Sequence, residues 1–467
     1  MSNVIFFILH EVGSLNASFR LANDLKARAH RVTYVGVADS RELVEANGFA
    51  FVTLFQEHFP KGSVGELTNQ GVLRQGLAHL LWAPRRHLVF RRFVDYLLAG
   101  GDEEFFSALG ELRPDIILFS GGPYIEWPAL MAQSRGIQSA YFCSTLAPRD
   151  GTGLPPMSSA IIPRRRESLW SAARIWVAWK RIEWRKRLLF FGHDRLTRRV
   201  AAKYGLVAFR RKTAYPRELA VSLTEIVPFP SCFDFPSSPL PDQHYIGASI
   251  GLERREVAFP WRLLDADKPL VYCALGTYLW RSPEIYRRFY RAMLDAAETT
   301  PEWQWVLATG GAASLEELGA IPANAVVVAH APQIALLKRA SVMVSHGGAN
   351  TVKECIFLGV PMVIFPLGGD HPGIAARATY HGVATNGGEL ADVDGARLKS
   401  LVEATMNNPY IGVQLAIMQA RFAEEEAEGR GVTLLESILR SQGRSSAEES
   451  APADAPSGRD TKLATPA

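Results

Sequence analysis

"SVMVSHGGANTVKECIFLGVPMVIFPLGGDHP", Ser341–Pro372, joins an apolar run to two adjacent glycines, then helix formers, then a second apolar run ending in another glycine pair. Read in order, this is strand, tight turn, helix, strand. Upstream, "PLVYCALGT" (269–277), "WQWVLATGG" (303–311) and "AVVVAHAP" (325–332) are further strand-like runs separated by helical segments. The first third of the chain repeats the pattern. Val4–Leu9 is an apolar run; Leu15, Phe19, Ala22 and Leu25 recur at helical spacing; "HRVTYVGV" resumes a strand. "PDIILFSGG", the helical Trp127–Ser134 and "GIQSAYFCS" form another such unit. Alternating strands and helices favour a parallel sheet covered by helices on both faces. The fold class is therefore α/β, with two facing Rossmann-like domains and a cleft between the carboxyl ends of their sheets, where ligands of such folds sit.

The boundaries follow from composition. "VPFPSCFDFPSSPLPD", 227–242, holds five prolines in sixteen residues and is expected to be the linker. It separates an amino-terminal domain, 1–226, from a carboxyl-terminal domain, 243–441. The small, polar tail 442–467 is expected to be disordered. At 467 residues, 48% hydrophobic and 21% charged, the chain suits a globular protein of two large cores. Cys143, Cys232, Cys273 and Cys355 lie far apart, which points to neither a zinc site nor a disulfide framework. Only six apolar residues precede His10, too few for a secretory signal, and no run approaches a membrane span. A cytoplasmic protein is expected, soluble or peripheral at the inner face of the membrane.

The glycines bear on chemistry. A helix start leaves about four N–H groups unpaired and favours an anion, and glycines let that anion approach closely. Gly347 and Gly348 fit that role. Asn350 and Glu354, four apart, share a helix face, the first able to cap or to touch phosphate and the second to accept from two neighbouring hydroxyls. The fifteen residues from Cys355 to Gly369 carry no charge, and then Asp370 and His371 place an acid and an imidazole at a strand end. This set suits a ribose diphosphate joined to a sugar. The alternative is purely structural: a turning glycine pair, a core histidine and a solvated glutamate.

Over about fifty residues, "HAPQIALLKRASVMVSHGGANTVKECIFLGVPMVIFPLGGDHPGIAARA" resembles the donor-binding signature of the family-one (UDP-glucosyl/glucuronosyl-type) nucleotide-sugar glycosyltransferases. The Pro–Gln, His–Gly–Gly, Asn–Thr, Glu, Gly–Val–Pro and Asp–His stand in the family's order and spacing. A weaker likeness runs over nearly the whole chain. The resemblance implies the GT-B type of fold, with the nucleoside-diphosphate sugar on the carboxyl domain and the acceptor on the amino domain. It places His330 where an aromatic stacks on the base, often Trp, and Gln333 at a ribose or base contact. It assigns His346, Gly348, Asn350 and Thr351 to the diphosphate cradle and Glu354 to the ribose. Asp370 and His371, the latter often Gln, fall to the sugar hydroxyls, and Gly276 and Thr277 to a second phosphate-side loop. No cofactor or metal is expected, only the co-substrate, a UDP- or TDP-hexose. The acid pairs Asp265/Asp267 and Asp392/Asp394 lie in polar turns and read as helix caps rather than metal ligands.

Inverting transfer needs a base for the acceptor hydroxyl and a stabilised leaving diphosphate. The helix start and His346 are expected to serve the second need. For the first, the family uses a histidine directly after the glycine opening the first helix, oriented by an acid at a later strand end. Those positions here are Ser14 and Ser120, and serine is a poor base at neutral pH. His10, at the end of the first strand, is the nearest substitute, and Glu11 could orient it or act itself. Otherwise the acceptor is acidic enough to need little help, or the chemistry has been lost.

One segment stands apart. From Arg164 to Lys212, within an insert of about 160–212, sixteen basic residues meet three acids, with Trp170, Trp176, Trp179 and Trp184 interleaved. Trp176, Trp179 and Ile182 read as one helical side and Arg174, Arg181 and Arg185 as another. Such a helix fits a membrane interface, or tryptophans that line an acceptor pocket or pack on the amino domain. Nucleic acid is not expected as a partner. The expected function is transfer of a hexose to a hydroxyl of a bulky, hydrophobic natural-product or lipid acceptor. A diverged donor-binding auxiliary protein and a sugar-nucleotide epimerase on the same fold are the alternatives.

Overall fold

The computed structural model describes residues 1–9, 11–63, 77–121, 125–163, 169–189, 192–206, 223–238, 240–276 and 282–449. His10, Thr277, parts of the insert and the tail from 450 lie outside them.

Two all-parallel sheets form the frame. The first has the order β3-β2-β1-β4-β5-β6-β7, built from Asn3–Ile8 (β1), Arg31–Gly36 (β2), Ala50–Thr53 (β3), Ile116–Ser120 (β4), Ser139–Phe142 (β5), Thr224–Val227 (β6) and Gln243–Tyr245 (β7). The second has the order β10-β9-β8-β11-β12-β13, from Leu270–Ala274 (β8), Gln304–Ala308 (β9), Ala325–Val328 (β10), Val342–Ser345 (β11), Met362–Ile364 (β12) and Ala384–Asn386 (β13). Along β1, Val4, Phe6 and Ile8 join one core while Ile5 and Phe7 join another. Both faces are covered, as the unbroken apolar runs require. In each sheet the strand order reverses once, between β1 and β4 and between β8 and β11. Those are the points at which doubly wound folds hold ligands. Helix α1 (Val12–Ala27) leaves the first, and its Leu15, Phe19, Ala22 and Leu25 are buried as the spacing predicts.

The boundary between domains differs from the one expected. Gln243–Tyr245 does not open the second domain; it pairs in parallel with β6 and closes the first sheet. The chain also returns. The last helix, Arg430–Glu449, buries Val432 and Leu435 in the core that holds Val4 and Phe6, and His30 meets Glu436 at 3.5 Å. Residues 442–449, expected in the tail, continue that helix. Asp394 and Asp265 serve the local backbone, accepting from the N–H groups of Arg397 and Asp267. The four cysteines are free thiols.

The linker is held by buried charge. The Lys353 ammonium donates to the carbonyls of Pro228 at 2.6 Å and Ala248 at 2.8 Å. Burial pushes its pKa down from 10.5 to about 8. The folded protein thus releases this proton before the unfolded chain does, so the unfolded state binds more protons between those values. Stability through this group is expected to be flat below pH 8 and to rise from about 8 to 10.5. Urea midpoints across that range, compared with Lys353→Met, check the sign: the wild-type slope should exceed the variant's.

Candidate functional site

The turn after β11 is shaped around one imidazole. Gly347 adopts φ +80°, and Gly348 caps a helix at Ala349–Leu358. A Cβ on Gly348 would stand 2.5 Å from His346 Nε2, and one on Gly276, at φ +84°, 2.7 Å from it. Both glycines are therefore required by the close approach of His346. That ring is half-buried, edge-on to His371 with centroids 4.5 Å apart. Burial first, and then His371, lower its pKa to about 3. The lowered pKa favours the neutral imidazole. A neutral imidazole can still donate a hydrogen bond, and its buried Nδ1 is unpartnered among the described residues. The first turn of the helix holds no acidic residue and no side-chain cap.

Around this turn the two domains meet. Asn350 Nδ2 donates to the Gly13 carbonyl at 2.7 Å, so its amide bridges to the start of α1 rather than capping its own helix. Its buried Oδ1 has no partner among the described residues. Thr145 Oγ1, on the amino domain, donates to Asp370 Oδ2 at 2.5 Å. The Gly373 N–H donates to the Met157 carbonyl at 2.7 Å, and a Cβ at Gly373 would lie 2.6 Å from that backbone. Asp370 thus faces the cleft. His371 does not: it is buried, and its Nδ1 accepts from the Gly368 N–H at 3.3 Å.

Glu354 is buried with both carboxylate oxygens engaged. Oε1 accepts from Arg254 and Oε2 from Gln333 Nε2 at 2.5 Å. Gln333 also lies 3.4 Å from Thr351 Oγ1. Each carboxylate oxygen has a second lone pair, in an orientation fixed by Arg254 and Gln333. His330 is exposed, two residues past β10.

The amino-domain positions are brought together only in part. Ser14 Oγ donates to Glu11 Oε2 at 2.8 Å and lies 2.8 Å from Ser144 Oγ. Its one proton goes to the carboxylate, so Ser144 is the donor of that second bond. Ser120 Oγ is buried at the end of β4 without a partner among the described residues, and no Ser14–Ser120 bond forms. Ser144, Thr145, Met157 and Arg254 were missed in the sequence. None belongs to a periodic or glycine-marked motif, and only the folding of distant loops onto the cleft reveals them.

On the insert, Trp179 and Ile182 face inward as read, with Trp179 Nε1 donating to the Leu154 carbonyl at 2.9 Å. Trp176 does not share that side; it is exposed. Among the described residues no helix is long and apolar enough to cross a membrane.

Known proteins supply the family. Zeaxanthin glucosyltransferase of Pantoea ananas is 26% identical over 371 residues, covering 78% of this chain and 79% of the relative. Among solved structures, the glycotransferase of kitacinnamycin superposes with a TM-score of 0.68 at 22% identity, covering 94% of this chain and 99% of its own. The glycosyltransferase VinC, solved in complex with DTDP, gives 0.60 at 18% identity over 94% and 99%. The two parallel-sheet domains are those of GT-B glycosyltransferases. The model of one family matches residues 122–419, which take in the linker and the turn at 346–348, and the chain belongs to that family, the UDP-glucoronosyl and UDP-glucosyl transferases.

Proposed function

We propose that this glycosyltransferase moves a hexose from a UDP- or TDP-sugar, with inversion, to a hydroxyl of a bulky hydrophobic acceptor. One observation carries the reading: the uncapped helix start at Gly348 lies directly across the cleft from the start of α1, joined to it by the Asn350–Gly13 bond. The sugar would be read by Asp370, the diphosphate by the amides after Gly348 with Thr351 and Gly276 nearby, and the ribose by Glu354. His330 and Gln333 border the base. The names of the relatives support the substrate class: one is a zeaxanthin glucosyltransferase and one was solved with DTDP.

In the transfer, the acceptor oxygen bonds to the anomeric carbon as the bond to the phosphate oxygen breaks, and the diphosphate leaves with the electron pair. Backbone amides meet the added charge. The acceptor proton passes to the Glu11 carboxylate, which the Ser14 hydroxyl positions. The auxiliary-protein and epimerase readings gain nothing from the family assignment.

Incubation with UDP-glucose or TDP-glucose and a panel of lipophilic alcohols separates the readings: glycoside supports transfer, whereas an epimerised donor or binding without turnover overturns it. Glu354→Gln is expected to weaken the preferred nucleotide by about 10- to 100-fold in calorimetry, because ribose hydroxyls lose a charged acceptor. Turnover should be unchanged by a chelator.

A further inference from the structure

The helix Leu169–Leu189 turns three tryptophans to the outside. Ile175, Trp179 and Ile182 are buried against the domain, but Trp170 is 82% exposed, Trp184 65% and Trp176 59%. Trp170, Val177 and Trp184 recur every seven residues and so lie along one stripe. Arg174, Arg181 and Arg185 run along the next stripe, all exposed. The helix carries six basic residues and one acid, Glu183, which Lys180 holds at 2.9 Å. A groove of about 870 Å³ follows these stripes, bounded on the far side by Ser158 and Ile161.

Large aromatic side chains in water are unfavourable, and a row of them beside a row of guanidinium groups matches the boundary between acyl chains and anionic headgroups. Tryptophan there buries its ring while its N–H stays among polar groups. We propose that the outer face of this helix docks on an anionic lipid surface, with Trp170 and Trp184 at the acyl boundary and Arg174, Arg181 and Arg185 against lipid phosphates.

Docking at this place has a consequence for the cleft. Trp179 ties the helix to Leu154, and three residues on, Met157 meets Gly373 beside Asp370. A docked helix would hold the cleft near the bilayer, where a hydrophobic acceptor dissolves. That consequence rests on the proposed transfer to a hydrophobic acceptor; the docking itself does not.

The test uses the full chain without donor or acceptor. Co-sedimentation is measured with vesicles of phosphatidylcholine alone and with about one-third phosphatidylglycerol, at two salt concentrations. Binding to the anionic vesicles is expected to be at least about tenfold tighter, weakened by salt, and accompanied by a blue shift of tryptophan emission. Trp170→Ser/Trp184→Ser and Arg174→Gln/Arg181→Gln should each lose about tenfold, while nucleotide-sugar binding by calorimetry stays unchanged and reports an intact fold. Equal binding to both vesicles, no binding, or variants that bind as well as wild type would overturn the proposal. So would a dimer in solution that the tryptophan variant dissolves, since the stripe would then belong to a second copy of the chain. Failure of the glycosyl-transfer reading shows separately, as absence of product in an assay without lipid.

Discussion

Glu11→Gln is expected to lower kcat by about 10²- to 10⁴-fold, the usual contribution of a general base, with donor affinity within about twofold of wild type. The substitution keeps the shape of the side chain and removes only its capacity to take a proton. Ser14 stands where the family resemblance places a histidine, but a serine hydroxyl is a poor proton acceptor at neutral pH. The group it touches can: Glu11 Oε2 lies 2.8 Å away, at the end of the helix whose amino terminus faces the cleft. Ser144 adds a further hydrogen bond to Ser14, and its neighbour Thr145 reaches Asp370, so this polar chain ends beside the proposed sugar site. Ser14→Ala should cost about tenfold, because it loosens the carboxylate without removing it. Combining Glu11→Gln with Ser14→His and Ser120→Asp rebuilds the family's dyad and should restore part of the turnover. Turnover of Glu11→Gln within about threefold of wild type would return the role to His10 or to the acceptor itself.

Arg377→Met should destabilise the protein by about 3–5 kcal/mol, the loss expected when one partner of a buried ion pair is removed. Arg377 is fully buried, with Nε donating to Asp234 Oδ1 at 2.7 Å and Nη1 to the Gly373 carbonyl at 3.0 Å. Its guanidinium lies over the Phe235 ring, 4.5 Å from the centroid. Asp234 belongs to the linker, and its other oxygen accepts from the Tyr245 hydroxyl on the last strand of the first sheet. Without Arg377 that carboxylate stays buried and uncompensated. Asp234→Asn combined with Arg377→Met removes the orphaned charge and should recover a substantial part of the loss. Denaturant unfolding of the two variants and the wild type measures it. A single variant within about 1 kcal/mol of wild type would show that water replaces the guanidinium. Because the pair fixes the linker to the helix that begins at His371, Arg377→Met should also raise the KM for donor more than it lowers kcat.

The sheets, their parallel sense and the glycine turn at 346–348 were legible because each is written locally. A strand buried on both faces must be apolar without alternation, and a helix entered at an open amino terminus needs glycine where another backbone or ring comes close. Gly348 and Gly276 show the limit of that reading. Their place at strand ends was visible, yet the reason for them is the His346 ring, 2.5 and 2.7 Å from where a Cβ would stand, and for Gly276 that approach depends on β8 and β11 being neighbours. The boundary at 243 was misplaced for a similar reason. Proline density marks where regular structure stops, not which sheet the next strand will join, and "QHY" found its hydrogen bonds on β6.

By itself the sequence determined the two α/β halves and the glycine turn followed by Glu354 and Asp370, and it pointed, through the family resemblance, to serines at 14 and 120 where a catalytic pair is expected. Only the tertiary structure decided which groups stand beside those residues: Arg254 on Glu354, Thr145 on Asp370, Glu11 and Ser144 on Ser14. It also decided that packing lowers the pKa of His346 and that Trp176 faces water. The physical reason is range. Strand and helix periods are set by neighbours a few residues apart, whereas a hydrogen bond between Thr145 and Asp370 joins positions 225 residues apart, and desolvation of a ring depends on every element packed around it.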